Sequence, residues 1–146
     1  AELGVKDLHL INSYRVEKSF WQSPLLDEAA LAPCLIEGLE QAMDTVLPRV
    51  HLHRRFRPFV EDELAALAEG SELLLADADA AHAYPDASAA PTVLIIGPEG
   101  GFIPFERELL QGIGARPASL GDRVLRVETA VPVALAHHRS PAPAVG

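Results

Sequence analysis

Two stretches of this 146-residue chain carry residue types suited to chemistry. GPEGG at 97–101 follows the apolar run VLII, so a strand ends on five residues that neither extend it nor open a helix unaided. Glycines there keep a loop bare, either because a tight turn needs them or because a ligand approaches the backbone. SLGDRVLRVETA at 119–130 repeats the theme: a strand exit, Gly121, the guanidiniums of Arg123 and Arg126 three apart, then Glu128 and Thr129 opening a helix. Arg123 and Arg126 either pair with carboxylates such as Glu99 and Glu128 or face an anionic ligand. Glu128 and Thr129 also suit a helix N-terminus for capping alone. Neither GxGxxG nor GxxxxGK[ST] is present, so no dinucleotide or Walker loop is claimed.

A third stretch, PRVHLHRRFRPF at 48–59, gathers Arg49, Arg54, Arg55 and Arg57 with no acidic residue among them. It reads as a solvated edge strand and loop, or as a phosphate-contacting surface with Phe56 and Phe59 available to stack on bases. The net charge of −9 argues against nucleic-acid binding by bulk electrostatics, although it does not exclude a local patch. Cys34 is the single cysteine, so no intrachain disulfide forms, and the six histidines have no cysteine partners for a zinc site. No metal is expected, and a reducing cytoplasm fits best. No apolar run approaches the ~20 residues that span a bilayer.

These residues need a scaffold, and 49% hydrophobic content supplies a core for one domain. AELGV reads as a helix end closing at Gly4, and DLHLINS alternates as a short strand does. Leu31, Leu35, Leu39, Met43 and Val46 recur at helical spacing and place an amphipathic helix within 27–46, its regular part starting near Pro33. A helix over 60–68 ended by Gly70, a buried strand at 72–77 and a small-residue loop at 78–91 follow. Then come a strand at 92–97, a helix over 105–112, a short strand within 115–120 and a final helix over 128–137, in which Pro132 is tolerable only near the first turn. The alternation of apolar strands with helices predicts an α/β fold, a largely parallel sheet with helices on both faces. Ligands in such sheets collect at the carboxyl ends of strands, where GPEGG lies.

GPEGGF at 97–102 followed by SLGDRVLRVETA at 119–130 resembles the paired signature of the bacterial 16S rRNA uracil-N3 methyltransferase family, within the SPOUT superfamily. AELGV at 1–5 and LEQA at 39–42 also resemble family segments. The resemblance covers most of residues 1–138 and implies a methyltransferase domain with a C-terminal deep trefoil knot, acting as a homodimer through the knot region. Residues 139–146 would be a loose tail. It implies S-adenosylmethionine as cofactor, held against Leu75 and Ala76, then Gly97, Pro98, Glu99, Gly100 and Gly101, then Ser119, Leu120, Gly121, Val124 and Leu125, with Thr129 at the helix start. Arg126, Arg123 and Glu128 would serve catalysis on N3 of a uridine in 16S rRNA, and Arg49, Arg54, Arg55 and Arg57 would meet RNA.

The chain departs from the family pattern in places. Asp122 stands where proline usually follows LG, and Ile103-Pro104-Phe105 replaces a capping serine and acidic residues. The family's N-terminal RNA-binding barrel and first catalytic strand do not precede Ala1, so the sequence resembles a piece covering most of the methyltransferase domain. The alternative readings are another RNA acceptor, a non-catalytic cofactor- or RNA-binding module, and a purely structural α/β dimer in which both loops are turns.

Overall fold

The computed structural model describes residues 1–85 and 90–138. The tail expected at 139–146 lies outside the described residues, as do residues 86–89 of the expected loop. Strand β1 (Asp7–Ile11) pairs in parallel with β2 (Arg49–His53), and β3 (Glu72–Ala76) pairs in parallel with both β4 (Thr92–Ile96) and β5 (Arg116–Ala118). The result is a two-stranded sheet, β1-β2, and a three-stranded sheet, β4-β3-β5. Every ladder is parallel, as the alternation of strands and helices predicts.

The three-stranded sheet is covered on both faces. Leu73 and Leu75 of β3 and Ile95 of β4 point to one side, where Phe59, Val60, Leu64 and Leu110 close a core. Leu74, Leu94 and Ala118 point to the other and meet Tyr84 and Ala134. Period-2 alternation turns each unbroken apolar strand into two cores. Helices α4 (Pro104–Gly112) and α5 (Val127–Ala136) thus lie on opposite faces and leave their N-termini at the strand exits.

Helix α1 (Glu28–Ala42) begins before Pro33 and stops before Met43, whose left-handed φ of 53° ends it. The expected stripe therefore overshoots, and Met43 and Val46 are exposed. Asp44 competes with the helix: its carboxylate accepts the Val46 N–H at 3.0 Å and pairs with Lys6. Pro33 sits sixth in α1 and Pro132 sixth in α5, deeper than a first turn. Each lies on an exposed side, where water can serve the carbonyl that the missing N–H would have engaged. At the N-terminus the expected helix end is a turn, Gly4 N–H to Ala1 O at 2.9 Å, with Gly4 at φ 84°.

The expected helix at 60–68 is longer. It runs through α2 (Phe56–Pro58), a π-helical stretch (Phe59–Leu64) and α3 (Ala65–Leu67). The wider turn buries Phe59, Val60 and Leu64 together. Phe59 packs on His53 at 3.9 Å between ring centroids, and His9, His51 and His53 stack along one face of β1-β2. His9 Nδ1 and His53 Nε2 are 3.0 Å apart, and burial pushes both imidazoles below their ordinary pKa.

Candidate functional site

The exits of β3 and β4 and the loop after β5 open onto one cleft of about 260 Å³. That is just below the roughly 300–1,000 Å³ of small-molecule sites, so it suits a compact or folded ligand. Leu75, Ala76, Asp77 and Asp79 form the β3 wall, and Gly97 to Phe102 form the β4 wall. Leu120, Arg123, Val124, Leu125, Val127 and Ala130 form the third. Parallel pairing explains the convergence, since β3, β4 and β5 all end on the same side.

The β4 wall is a closed turn. Gly101 donates its N–H to Pro98 O at 2.7 Å and has φ 68°, a conformation that suits glycine. Gly97 is small for another reason: a Cβ there would sit 3.2 Å from the Phe102 ring. Behind the turn, α4 starts at Pro104 after Ile103, and no hydroxyl caps it. Glu106 serves instead. Its carboxylate, 3% exposed, accepts the Ile103 N–H at 3.1 Å and the Tyr14 N–H at 2.8 Å. Arg107, one residue on, pairs with Asp77 at the β3 exit and lies 3.7 Å from Asp79, which joins two walls of the cleft.

The expected site residues divide. Leu75, Ala76, Gly97, Pro98, Glu99, Gly100, Gly101, Leu120, Val124, Leu125 and Arg123 all line the cleft. Ser119 and Gly121 line an adjacent hollow beside His82, Tyr84 and His137. The Ser119 hydroxyl is occupied locally: it donates to Gly121 O at 2.8 Å and accepts the Gly121 N–H at 3.3 Å. In that hollow Tyr84 Oη is 2.8 Å from His138 Nε2, and burial pushes the phenol up to about 12. Arg126, Glu128 and Thr129 lie outside the cleft lining and are exposed. Arg126 stands as the N-cap residue of α5, with its guanidinium 3.9 Å from Glu128 and 84% exposed. Among the described residues Glu99 forms no ion pair with either arginine; Arg126 faces Glu128 instead.

The basic stretch also divides. Arg49 pairs with Asp7 at 2.9 Å, and the bond it donates holds that carboxyl below the usual carboxylate range. Arg57 pairs with Glu61 at 2.9 Å, one helical turn on. Arg54 donates to Trp21 O at 3.2 Å and lies 5.5 Å over the indole. Arg55 precedes α2 and is exposed. Phe59 is buried and Phe56 packs toward Phe102, so the stacking expected of Phe59 is unavailable. Among the described residues no group of three His, Cys, Asp or Glu side chains is arranged to hold a metal ion.

Other residues of the cleft lining carry no expectation from the sequence, among them Arg15, Asp77, Asp79, Arg107, Val127 and Ala130. Arg107 was legible as a charge on α4 but not as a link to Asp77, because the two stand 30 residues apart.

The sequence matches the RNA methyltransferase domain family over residues 1–139. Ribosomal RNA small subunit methyltransferase E of Treponema pallidum is 31% identical over 140 residues, covering 93% of this chain and 53% of that protein. The corresponding Mycobacterium bovis protein is 39% identical over 79 residues, 52% of this chain and 29% of its own length. Among solved structures, a Legionella pneumophila methyltransferase in complex with bound SAM superposes with a TM-score of 0.69 at 31% identity, over 92% of this chain and 55% of that one. Ribosomal RNA small subunit methyltransferase E of Neisseria gonorrhoeae, bound to S-adenosyl methionine, superposes at 0.73 with 25% identity, over 92% and 54%. The chain spans about half the length of the first two curated relatives it matches. With the match running over nearly all of its residues, and with a parallel α/β fold like theirs, this chain belongs to the RNA methyltransferase domain family.

Proposed function

We propose that residues 1–138 form the catalytic domain of an S-adenosylmethionine-dependent methyltransferase acting on N3 of a uridine in 16S ribosomal RNA. The observation that carries the reading is the cleft itself: three parallel-strand exits converge on a glycine-walled hollow in a chain whose relatives methylate ribosomal RNA by name. The residues fit the cofactor's chemistry. Leu120, Val124 and Leu125 offer an apolar face to a flat base, and the bare backbone at Gly97 can meet polar ring atoms. Beyond the Arg107–Asp77 pair, Glu99 and the exposed Asp79 favour a cationic group, while Arg123 favours a carboxylate.

The cofactor supplies a methyl group made electrophilic by its sulfonium. The chain's task is then on the acceptor side, where the uracil N3 proton must leave and negative charge gathers on the flanking carbonyl oxygens. On this reading Arg123, in the cleft wall, and Arg126, exposed at the start of α5, would stabilise that charge. Glu128, 3.9 Å from Arg126, either orients the guanidinium or takes the proton.

Arg126 and Glu128 project outward from the cleft, which supports an acceptor delivered from outside and a homodimer in which a second copy adjoins this region through the C-terminal knot. Arg49, Arg54, Arg55 and Arg57 are the proposed RNA surface, Arg55 contributing most because the others hold internal partners. No helix among the described residues is long and apolar enough to cross a membrane, and a ribosomal substrate would place the reaction in the cytoplasm.

The test is calorimetry with S-adenosylmethionine, followed by methyl transfer to small ribosomal subunits from a strain lacking the modification and mass mapping of the product. Binding with N3-methyluridine formation is the expected result. A folded protein that binds no cofactor overturns the reading, and binding without transfer favours a cofactor- or RNA-binding module.

A further inference from the structure

Gly100 poses a question that the cofactor does not answer. Unlike Gly101 and Gly121, it is not among the glycines with a positive φ, so backbone conformation does not require glycine there. The side chain that lies against it is that of Arg15. A Cβ at position 100 would lie 2.9 Å from Arg15 Cδ, 3.6 Å from its Cβ and 3.8 Å from its Cγ. The arginine stem lies across the glycine, and its guanidinium donates a hydrogen bond to the Gly100 carbonyl.

Arg15 belongs to a short segment that is itself anchored. After β1 ends, Asn12 donates its N–H to His53 O at 2.8 Å and its side-chain amide to Arg54 O at 3.2 Å. Ser13 is buried, and the Tyr14 N–H then reaches Glu106, the carboxylate that also holds Ile103. Residues 14 and 15 therefore grip the glycine turn from both sides, Arg15 at Gly100 and Tyr14 through Glu106 at Ile103. With the Gly101 N–H committed to Pro98 O, the Gly100–Gly101 peptide has both of its polar groups occupied and its orientation fixed.

We infer that Arg15 is a positioning residue for the methyl donor: it latches the 97–101 turn through Gly100, and Gly100 is glycine to admit it. The inference rests on the proposed cofactor site and adds to it a group that acts through the loop rather than on the acceptor. A charged hydrogen bond of this kind carries enough free energy for about a tenfold effect. Lysine, a point donor on a flexible methylene stem, keeps the charge but not the fixed donor geometry of the guanidinium.

The experiment compares wild type, Arg15→Ala, Arg15→Lys, Gly100→Ala and the Arg15→Ala/Gly100→Ala double variant, each checked for folding by thermal melting. The dissociation constant for S-adenosylmethionine, the KM for each substrate and hydrogen exchange at the Gly101 amide are measured. The latch requires about tenfold weaker cofactor binding in Arg15→Ala, a smaller loss in Arg15→Lys, an unchanged KM for the ribosomal subunit, and faster exchange at Gly101. Gly100→Ala should match Arg15→Ala, and the double variant should be no worse than either, because both remove one contact. Additive losses would overturn the inference. So would an Arg15→Ala effect confined to the KM for the ribosomal subunit and its salt dependence, which would make Arg15 an RNA contact. If wild type binds no cofactor, the function proposed above fails, while Gly101 exchange still decides whether the latch exists.

Discussion

The loop at 97–103 and the loop at 119–126 both follow parallel strands and both carry glycine, but they are held in opposite ways. The first is tied to distant chain at Gly100 by Arg15 and at Ile103 by Glu106, and it is backed by the Phe102–Phe56 ring contact of 5.6 Å. The second is bonded to distant chain at Ser119, through His82 O at 2.8 Å and the Tyr84 N–H at 2.7 Å, but from Gly121 onward its ties among the described residues are local: Gly121 to Ser119, and Arg126 to the first turn of α5, with Val124 80% exposed. A wall whose polar groups are satisfied from behind keeps its shape before any ligand arrives, which is what preorganisation requires. A wall that ends in exposed Arg123, Val124 and Arg126 is shaped to meet something else. On the function proposed above, the donor half of the site is built into this chain and the acceptor half is completed by the RNA or a second copy.

That contrast can be broken most forcefully at Glu106. Glu106→Ala leaves the part-buried Tyr14 and Ile103 N–H groups without their acceptor, and unfolding by denaturant should show a loss of about 2 kcal/mol. A variant as stable as wild type would mean that the first loop does not depend on this tie. Arg126→Ala probes the other loop and should behave in reverse. Methyl transfer should fall about 100-fold while stability moves by less than ~0.5 kcal/mol, since an exposed 3.9 Å ion pair contributes little.

A finer comparison sets Gly101→Ala against Gly121→Ala. Both glycines have positive φ, 68° and 135°, so both substitutions are strained. The strain at 101 falls in a turn held from both ends and should cost about 1–2 kcal/mol, whereas exposed neighbours let position 121 relax at a smaller cost. Equal losses in urea titrations would erase the distinction drawn between the loops.

The mildest test concerns pH. His9 and His53 have pKa values depressed by burial, so the unfolded chain takes up protons first as pH falls through about 6.5. Their contribution is complete above that value and shrinks below it. Thermal midpoints should therefore drop between neutral and mildly acidic pH, and His9→Gln should flatten the slope. His51, stacked on His9, and Asp7 and Glu63, which face His51 and His53, stay in place in that variant. Because Asn12 is bonded to His53 O, the same drop should loosen the first loop before the second.

What the sequence discloses follows from how locally each feature is encoded. The strands at 72–76 and 92–96 are legible because both faces are covered and nearly every residue is apolar. RVHLH, which forms β2, reads instead as an edge because its arginine and histidines suggest solvent; the histidines are stacked on β1, which no periodicity displays. The helix expected at 60–68 takes in the π-helical stretch from Val60 onward but misses the start of the segment at 56–59, which lies in the arginine-rich run and reads there as strand and loop. Much of the cleft is legible as two glycine loops at strand exits. Arg15 is not, because its partner is a backbone carbonyl 85 residues away and carries no side-chain signature. Glu106 left a faint trace, a glutamate three residues after Ile103 as in half of a capping box, but the missing hydroxyl hid it.

The span of the Tyr14–Glu106 contact, 92 residues, bears on when the site can exist. Contacts between remote parts of a chain close after local helices and neighbouring strands, because the intervening segment must already be compact. The turn at 97–101 can form early as a turn, yet it has no fixed place until residues 14 and 15 arrive. During synthesis its anchoring must wait until the chain has been made at least through Glu106 and the β1 segment has docked. In a refolding experiment with pulsed isotope labelling, protection at Gly101 should therefore trail protection at Leu74, giving the pocket a birth order set by topology rather than by its own residues.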